Sequence, residues 1–216
     1  MKQLDGPRLP PAGGGAARSL VVLLHGFGAD GNDLIGLGQY WAPALPGTYF
    51  VAPHAPQACT MAPSGRQWFP LSMRDPDEYW RGVTDAAPAL NAFLDAELER
   101  HSLPPERMAL VGFSQGTMMS LHVGLRREKA PACIVGFSGL LAGVEDLDKA
   151  EVERPPIVLV HGDRDDVLPM DFMFAAANML NNIDIPVEWH ISRGIGHGID
   201  ENGLAIGSDF LKLGLK

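Results

Sequence analysis

The sequence predicts an α/β protein whose central sheet is mainly parallel and carries helices on both faces. Three observations predict it. Short aliphatic runs such as SLVVLL at 19–24 are unbroken rather than alternating, the pattern of strands covered on both sides. These runs alternate with longer stretches of helical spacing, which implies right-handed crossovers. Glycine-rich turns follow the runs, HGFG at 25–28 first among them.

Residues 1–18 are rich in Pro and Gly and are expected to form an extended lead-in. A strand over Ser19–Leu24 follows, then a helix around Asp33–Trp41 and a strand at Tyr49–Ala52. The segment Pro53–Arg81, with many Pro, aromatic and Met residues, reads as irregular. Ala, Leu and Glu at helical spacing predict a helix over Val83–His101. A strand at Met108–Phe113 leads into a helix at Gln115–Arg127. Strands are expected at Cys133–Phe137 and Ile157–His161, a helix at Asp171–Asn181, a strand at Val187–Ser192 and a last helix at Gly203–Leu213. No linker-like stretch interrupts the middle, so residues 1–216 read as one domain.

Composition narrows the partners. Against 17 basic residues stand 26 acidic ones, a formal net charge of -9, which repels phosphate backbones and disfavours nucleic acid as a partner. The two cysteines, Cys59 and Cys133, cannot build a disulfide framework and form no CxxC pair, so buried free thiols are expected. The N-terminus lacks the apolar core of a signal peptide, and the run Leu20–Leu24 is far too short to cross a bilayer. A cytoplasmic protein without stable membrane insertion is the expectation.

Gly112-Phe113-Ser114-Gln115-Gly116 follows an apolar strand and opens a helical stretch. A serine on so tight a turn adopts a strained backbone, and side chains two residues away on either side would clash. A capping serine in a glycine-rich turn would explain the pentapeptide alone; the strand before it and the helix after it supply the context a nucleophile needs. A serine hydroxyl requires a base. Of the seven histidines, His101 and His122 fall in helical stretches and His190 inside a strand pattern, whereas His25, His54 and His161 each follow a strand. His197, in RGIGHG after the last strand, alone lies beyond both the serine and the acidic cluster and outside a strand, the chain order the base takes in such sheets. A carboxylate must orient that imidazole. Asp163, Asp165 and Asp166 all leave the strand at 157–161, and spacing does not choose among them.

Leu24-His25-Gly26-Phe27-Gly28-Ala29-Asp30-Gly31 lets backbone approach a substrate closely. The N–H of Phe27 would join that of Gln115 around an oxyanion. A phosphate cradle fits less well, because Asp30 would repel the phosphate and no partner acid follows a second strand.

Four ordered blocks, LLHGFGADGNDL, VAPHAPQ, GFSQGTMMSL, and HGDRDDVLP followed by GIGHGI, resemble the carboxylesterase/phospholipase family that includes acyl-protein thioesterases and small bacterial carboxylesterases. The resemblance runs from about residue 19 to 211. It implies an α/β-hydrolase fold without a large cap domain. It also implies Ser114 as nucleophile, His197 as base, and Asp165 as acid through an H-G-x-x-D pattern, with Asp166 the second choice. Phe27 and Gln115 match the oxyanion donors. The segment Pro53–Arg81 would border an acyl-binding groove, with Met61, Trp68, Phe69 and Met73 as contacts. A homodimer through apolar loops near that groove is compatible with the resemblance.

The expected activity is hydrolysis of short- to medium-chain acyl esters through an acyl-serine, needing no metal or organic cofactor. Thioesters and lysophospholipids are alternatives on the same residues. A peptidase would call for charged groups that grip peptide termini, and none is identifiable. A binding module that kept the fold would not require serine, aspartate and histidine in this order.

Overall fold

The computed structural model of the protein describes residues 3–59, 61–72, 75, 77–143, 147 and 154–216. Strands β1 (Arg8–Leu9), β2 (Ser19–Leu24), β3 (Thr48–Val51), β6 (Met108–Phe113), β7 (Cys133–Phe137), β8 (Ile157–Gly162) and β9 (Val187–Ser192) form one sheet. Its order is β1-β3-β2-β6-β7-β8-β9. Every neighbouring pair is parallel except β1 with β3. A two-stranded ribbon of β4 (Gln57–Ala58) and β5 (Arg66–Gln67) stands apart from it.

The pleat sorts the aliphatic runs between two cores. In β2, Leu20, Val22 and Leu24 face one layer and Val21 and Leu23 the other. The first layer holds α2 (Glu78–His101), α3 (Gln115–Arg126) and α4 (Asp171–Asn182), through residues such as Leu90, Leu94, Met118 and Met173. The second holds α1 (Gly31–Trp41) and α5 (Glu201–Gly214), through Leu34, Trp41 and Leu211. This is the mainly parallel, doubly covered sheet the sequence predicts, and no large cap sits on it among the described residues.

Three local readings change. The lead-in is not wholly irregular: Arg8 and Leu9 pair with Val51 and Phe50, closing the β3 edge. An ion pair fixes it further, since Arg8 Nη2 lies 2.8 Å from Oε1 of Glu97, a carboxylate buried on α2. The segment 53–81 contains the β4–β5 ribbon. Helix α2 begins at Glu78, five positions before the expected start, and Gly82 inside it is explained by packing. A Cβ there would stand 2.2 Å from the Phe69 ring. Among the described residues no helix is long and apolar enough to cross a membrane.

Candidate active site

The carboxyl ends of the parallel strands bring the sequence-picked residues to one edge of the sheet. Strand β6 ends at Phe113, Ser114 follows at φ 54 and ψ -116, and α3 starts at Gln115. A non-glycine residue in this region costs about 1–3 kcal/mol and persists only where its surroundings enforce it. Both flanking glycines enforce it here. A Cβ on Gly112 would meet backbone atoms of Gly116 and Thr117 at 2.4 Å, and one on Gly116 would stand 1.8 Å from the Leu24 carbonyl oxygen. The Ser114 N–H donates to Phe137 O at 2.9 Å, tying the turn to β7.

The loop after β9 carries His197, and its Nδ1 lies 2.7 Å from Asp165 Oδ2. A carboxylate only accepts, so the proton sits on Nδ1 and leaves Nε2 as the basic nitrogen. The Asp165 side chain is wholly buried, whereas Asp166 is exposed. Burial alone would raise the Asp165 pKa. Hydrogen bonds from the Leu168 N–H, from His197 and from the Val167 N–H outweigh it and hold the carboxyl below its ordinary range.

Three residues to which the sequence reading gave no such task hold the loop in place. His161 lies 3.2 Å from the same Asp165 oxygen and donates from Nε2 to Leu168 O at 2.8 Å. Asp163 accepts from the Gly194 N–H at 2.6 Å. Gly162 leaves room for the loop, because a Cβ there would meet Ile195 O at 2.2 Å. Their sequence signal was present in HGDRDD, where His161, Gly162, Asp163 and Asp165 have separate tasks. The His197 ring packs on Phe113, the neighbour of Ser114, with centroids 5.0 Å apart. Ser114 Oγ and His197 are not hydrogen-bonded to each other in this resting geometry.

Opposite the imidazole, Gly26 to Ala29 form a turn closed by Ala29 N–H to Gly26 O at 3.3 Å, with Gly28 at φ 80. Gly26 touches the elbow directly: a Cβ there would be 3.3 Å from Ser114 Cβ. The Gln115 N–H, first in α3, has no partner within the helix by position, and among the described residues no hydrogen bond occupies the Phe27 N–H. Gln115 follows Ser114 directly and Phe27 follows Gly26, so the two expected donors belong to the two segments that meet at the elbow.

The expected groove residues separate. Met61 is 77% exposed on a loop that meets Gly28 through Ala62. Trp68 and Phe69 are buried, their backbone groups bond the Gln115 side chain, and both line a cavity of about 450 Å³ together with Pro56, Gln57, Gly82 and Ala86. Met73 lies outside the described residues. A cavity of about 310 Å³ opens elsewhere, lined by Tyr79, Trp80, Leu140, Leu141, Phe172 and Met179 among others. The loop leading to it starts against the elbow, since a Cβ on Gly139 would be 3.0 Å from Ser114 O. GLLAG after β7 was its sequence signal. Among the described residues no cluster of His, Cys, Asp or Glu is arranged to hold a metal ion.

Comparison with known proteins agrees with this fold. Residues 12–215 match a family model described as Phospholipase/Carboxylesterase. A probable carboxylesterase of Oryza sativa subsp. japonica is 30% identical over 225 residues, covering 97% of this chain and 84% of its own. Acyl-protein thioesterase 1 of Schizosaccharomyces pombe is 29% identical, covering 79% of each. The crystal structure of esterase PE8 superposes with a TM-score of 0.94 at 44% identity, covering 98% of this chain and 99% of that one.

Asp165 generates a pH prediction. Its carboxyl binds a proton less tightly folded than unfolded, so its stabilisation is complete above the unfolded value of about 4 and is lost as pH falls through the lower folded value. Urea unfolding followed between about pH 5 and 3 should show a shallower loss of stability for Asp165→Asn than for the parent. Parallel curves would contradict the assignment.

Proposed function

The chain belongs to the phospholipase/carboxylesterase family, and from that premise we propose that it is a carboxylic ester hydrolase acting on short- to medium-chain acyl groups through an acyl-enzyme on Ser114. The observation that carries the residue assignment is the 2.7 Å hydrogen bond from His197 Nδ1 to buried Asp165, beside the elbow that bears Ser114. The whole chain acts as one catalytic domain in this reading.

In the first half-reaction Ser114 Oγ attacks the acyl carbonyl while His197 Nε2 takes its proton. The imidazole closes on the hydroxyl as substrate orders the site, a contact that commonly tightens only in the complex. Asp165 stabilises the imidazolium without taking the proton. The N–H groups of Phe27 and Gln115 receive the oxyanion, helped by the positive end of α3. His197 then protonates the leaving alcohol, whose departure forms the acyl-serine. In the second half the same nitrogen removes a proton from water, which attacks the acyl carbon. As this intermediate collapses, His197 Nε2 returns the proton to Ser114 Oγ and the acid is released.

The apolar cavity lined by Trp80, Leu140, Leu141 and Phe172 would take the acyl chain. A thioester is a second substrate class on the same residues, supported by the likeness to acyl-protein thioesterase 1 of Schizosaccharomyces pombe. Two buried unpaired cysteines support a cytoplasmic location. Exposed Met61 and Val167 on loops, with Phe172 at the start of α4, support a homodimer through an apolar surface near the site.

Ser114→Ala should lower nitrophenyl ester turnover by roughly 10⁴-fold or more and abolish labelling by a fluorophosphonate. Undiminished hydrolysis in that variant would defeat the proposal. Leu140→Trp should fill the cavity and lower kcat/KM for octanoyl relative to acetyl esters by about tenfold, on the usual scale of pocket discrimination. An unchanged chain-length profile would mean the acyl chain lies elsewhere. Sedimentation equilibrium should give the mass of two chains, and a single-chain mass would remove the dimer.

A further inference from the structure

The two backbone groups assigned to the oxyanion come from loops about ninety positions apart in the chain, and one buried strut spans them. It starts at the Gln115 side chain, which has no exposure. Its Oε1 accepts from Trp68 N–H at 2.8 Å and its Nε2 donates to Phe69 O at 2.8 Å. The primary amide thus clasps the backbone of Trp68 and Phe69, with donor and acceptor both satisfied. The strut continues through the Trp68 indole, also fully buried, whose Nε1–H donates to His25 O at 3.0 Å.

His25 is the far anchor. Ala55 N–H donates to its Nε2 at 3.0 Å, so the ring proton is on Nδ1, which donates to Gly26 O at 2.8 Å. Burial lowers the pKa of this imidazole and keeps it neutral, as that pattern requires. The same segment grips the other side of the turn: Gly28 N–H donates to Arg66 O at 2.9 Å, and Arg66 N–H to Ala29 O at 2.8 Å. Gly65 must be glycine for this approach, because a Cβ there would stand 2.0 Å from Gly28 O. Segment 65–69 therefore touches the loop on both sides of Phe27 and the elbow at Gln115, and touches neither Asp165 nor His197 by hydrogen bond.

We propose that the Gln115 side chain and the Trp68 indole are positioning groups that set the spacing between the Phe27 and Gln115 N–H donors. Gln115 then has two separable tasks, its backbone N–H meeting the oxyanion and its side chain aligning the second donor. This inference rests on the ester-hydrolase reading of Ser114. Oxyanion stabilisation depends on donors standing at hydrogen-bond distance from where the charge develops. Loosening the strut should therefore weaken transition-state binding and leave ground-state binding nearly alone.

Gln115→Met keeps the volume and deletes both amide bonds; Trp68→Phe keeps a ring in the core and deletes one N–H. Each should lower kcat on a nitrophenyl ester by about tenfold to a hundredfold, below the loss for deleting a donor outright, with KM within about twofold. Affinity for a trifluoromethyl ketone, which adds to the serine and forms an oxyanion, should fall by the same factor as kcat/KM. The pH dependence of kcat/KM should stay at the parent's position, because the imidazole and its carboxylate are untouched. The double variant should lose little more than the worse single one, as expected for links in one strut.

Circular dichroism establishes that each variant is folded, and if Gln115→Met is not, the milder Trp68→Phe carries the test. Folded variants with kcat and ketone affinity within twofold of the parent would overturn the proposal, as would a loss of kcat with ketone affinity intact. Ser114→Ala separates the two levels. Inactive Ser114→Ala beside fully active strut variants would sink the strut alone, whereas active Ser114→Ala would sink the reading beneath it.

Discussion

The close approach between the start of α3 and the end of β2 is the constraint on which the site depends. Gly116 lies so near the Leu24 carbonyl that no side chain fits between them. That contact holds the chain at the positive φ of Ser114 and brings the first turn of α3 against the end of β2 and His25. Relaxed to an ordinary strand-to-helix connection, the serine would be a capping residue and the two loops would have no reason to meet. A few kcal/mol of backbone strain is stored in one residue and opposed by the close packing of the six parallel strands.

The electrostatic half of the site follows a different logic. Asp165 is taken out of water, which by itself disfavours its charge, yet the carboxylate is surrounded by donors: two backbone N–H groups, His197, and His161 close by. Its charge is thus fixed before any substrate arrives, and the tautomer of His197 is fixed with it. Asp163, two residues earlier, bonds the Gly194 N–H and anchors the loop that carries the imidazole. Neighbouring aspartates have been given separate work, one holding the ring and the other the loop.

Local signals made much of this legible in the sequence. The limits of β2, β6 and β7 follow from unbroken apolar runs, and the elbow from glycines whose spacing only a tight turn requires. What was not legible depends on distant partners. Arg8 and Leu9 look like lead-in until their pairing with β3 and the ion pair to Glu97, 89 positions away, are seen. Gly82 hides the true start of α2, because its explanation is the Phe69 ring pressed against it. Trp68 and Phe69 read as groove residues on family resemblance, and the resemblance carries no sign of the hydrogen bonds that tie their backbone to Gln115. The choice of Asp165 over its neighbours rested on family pattern, since spacing along a loop does not say which carboxylate turns inward.

The central claim is that an oxygen bonded to the Ser114 adduct is received by two backbone donors from separate loops, with His197 alongside. A crystal structure of the fluorophosphonate adduct tests it most directly. The account predicts phosphorus bonded to Ser114 Oγ, and a phosphoryl oxygen at hydrogen-bond distance from the N–H groups of both Phe27 and Gln115. A phosphoryl oxygen pointing away from both donors, or phosphorus bonded to another residue, would contradict it.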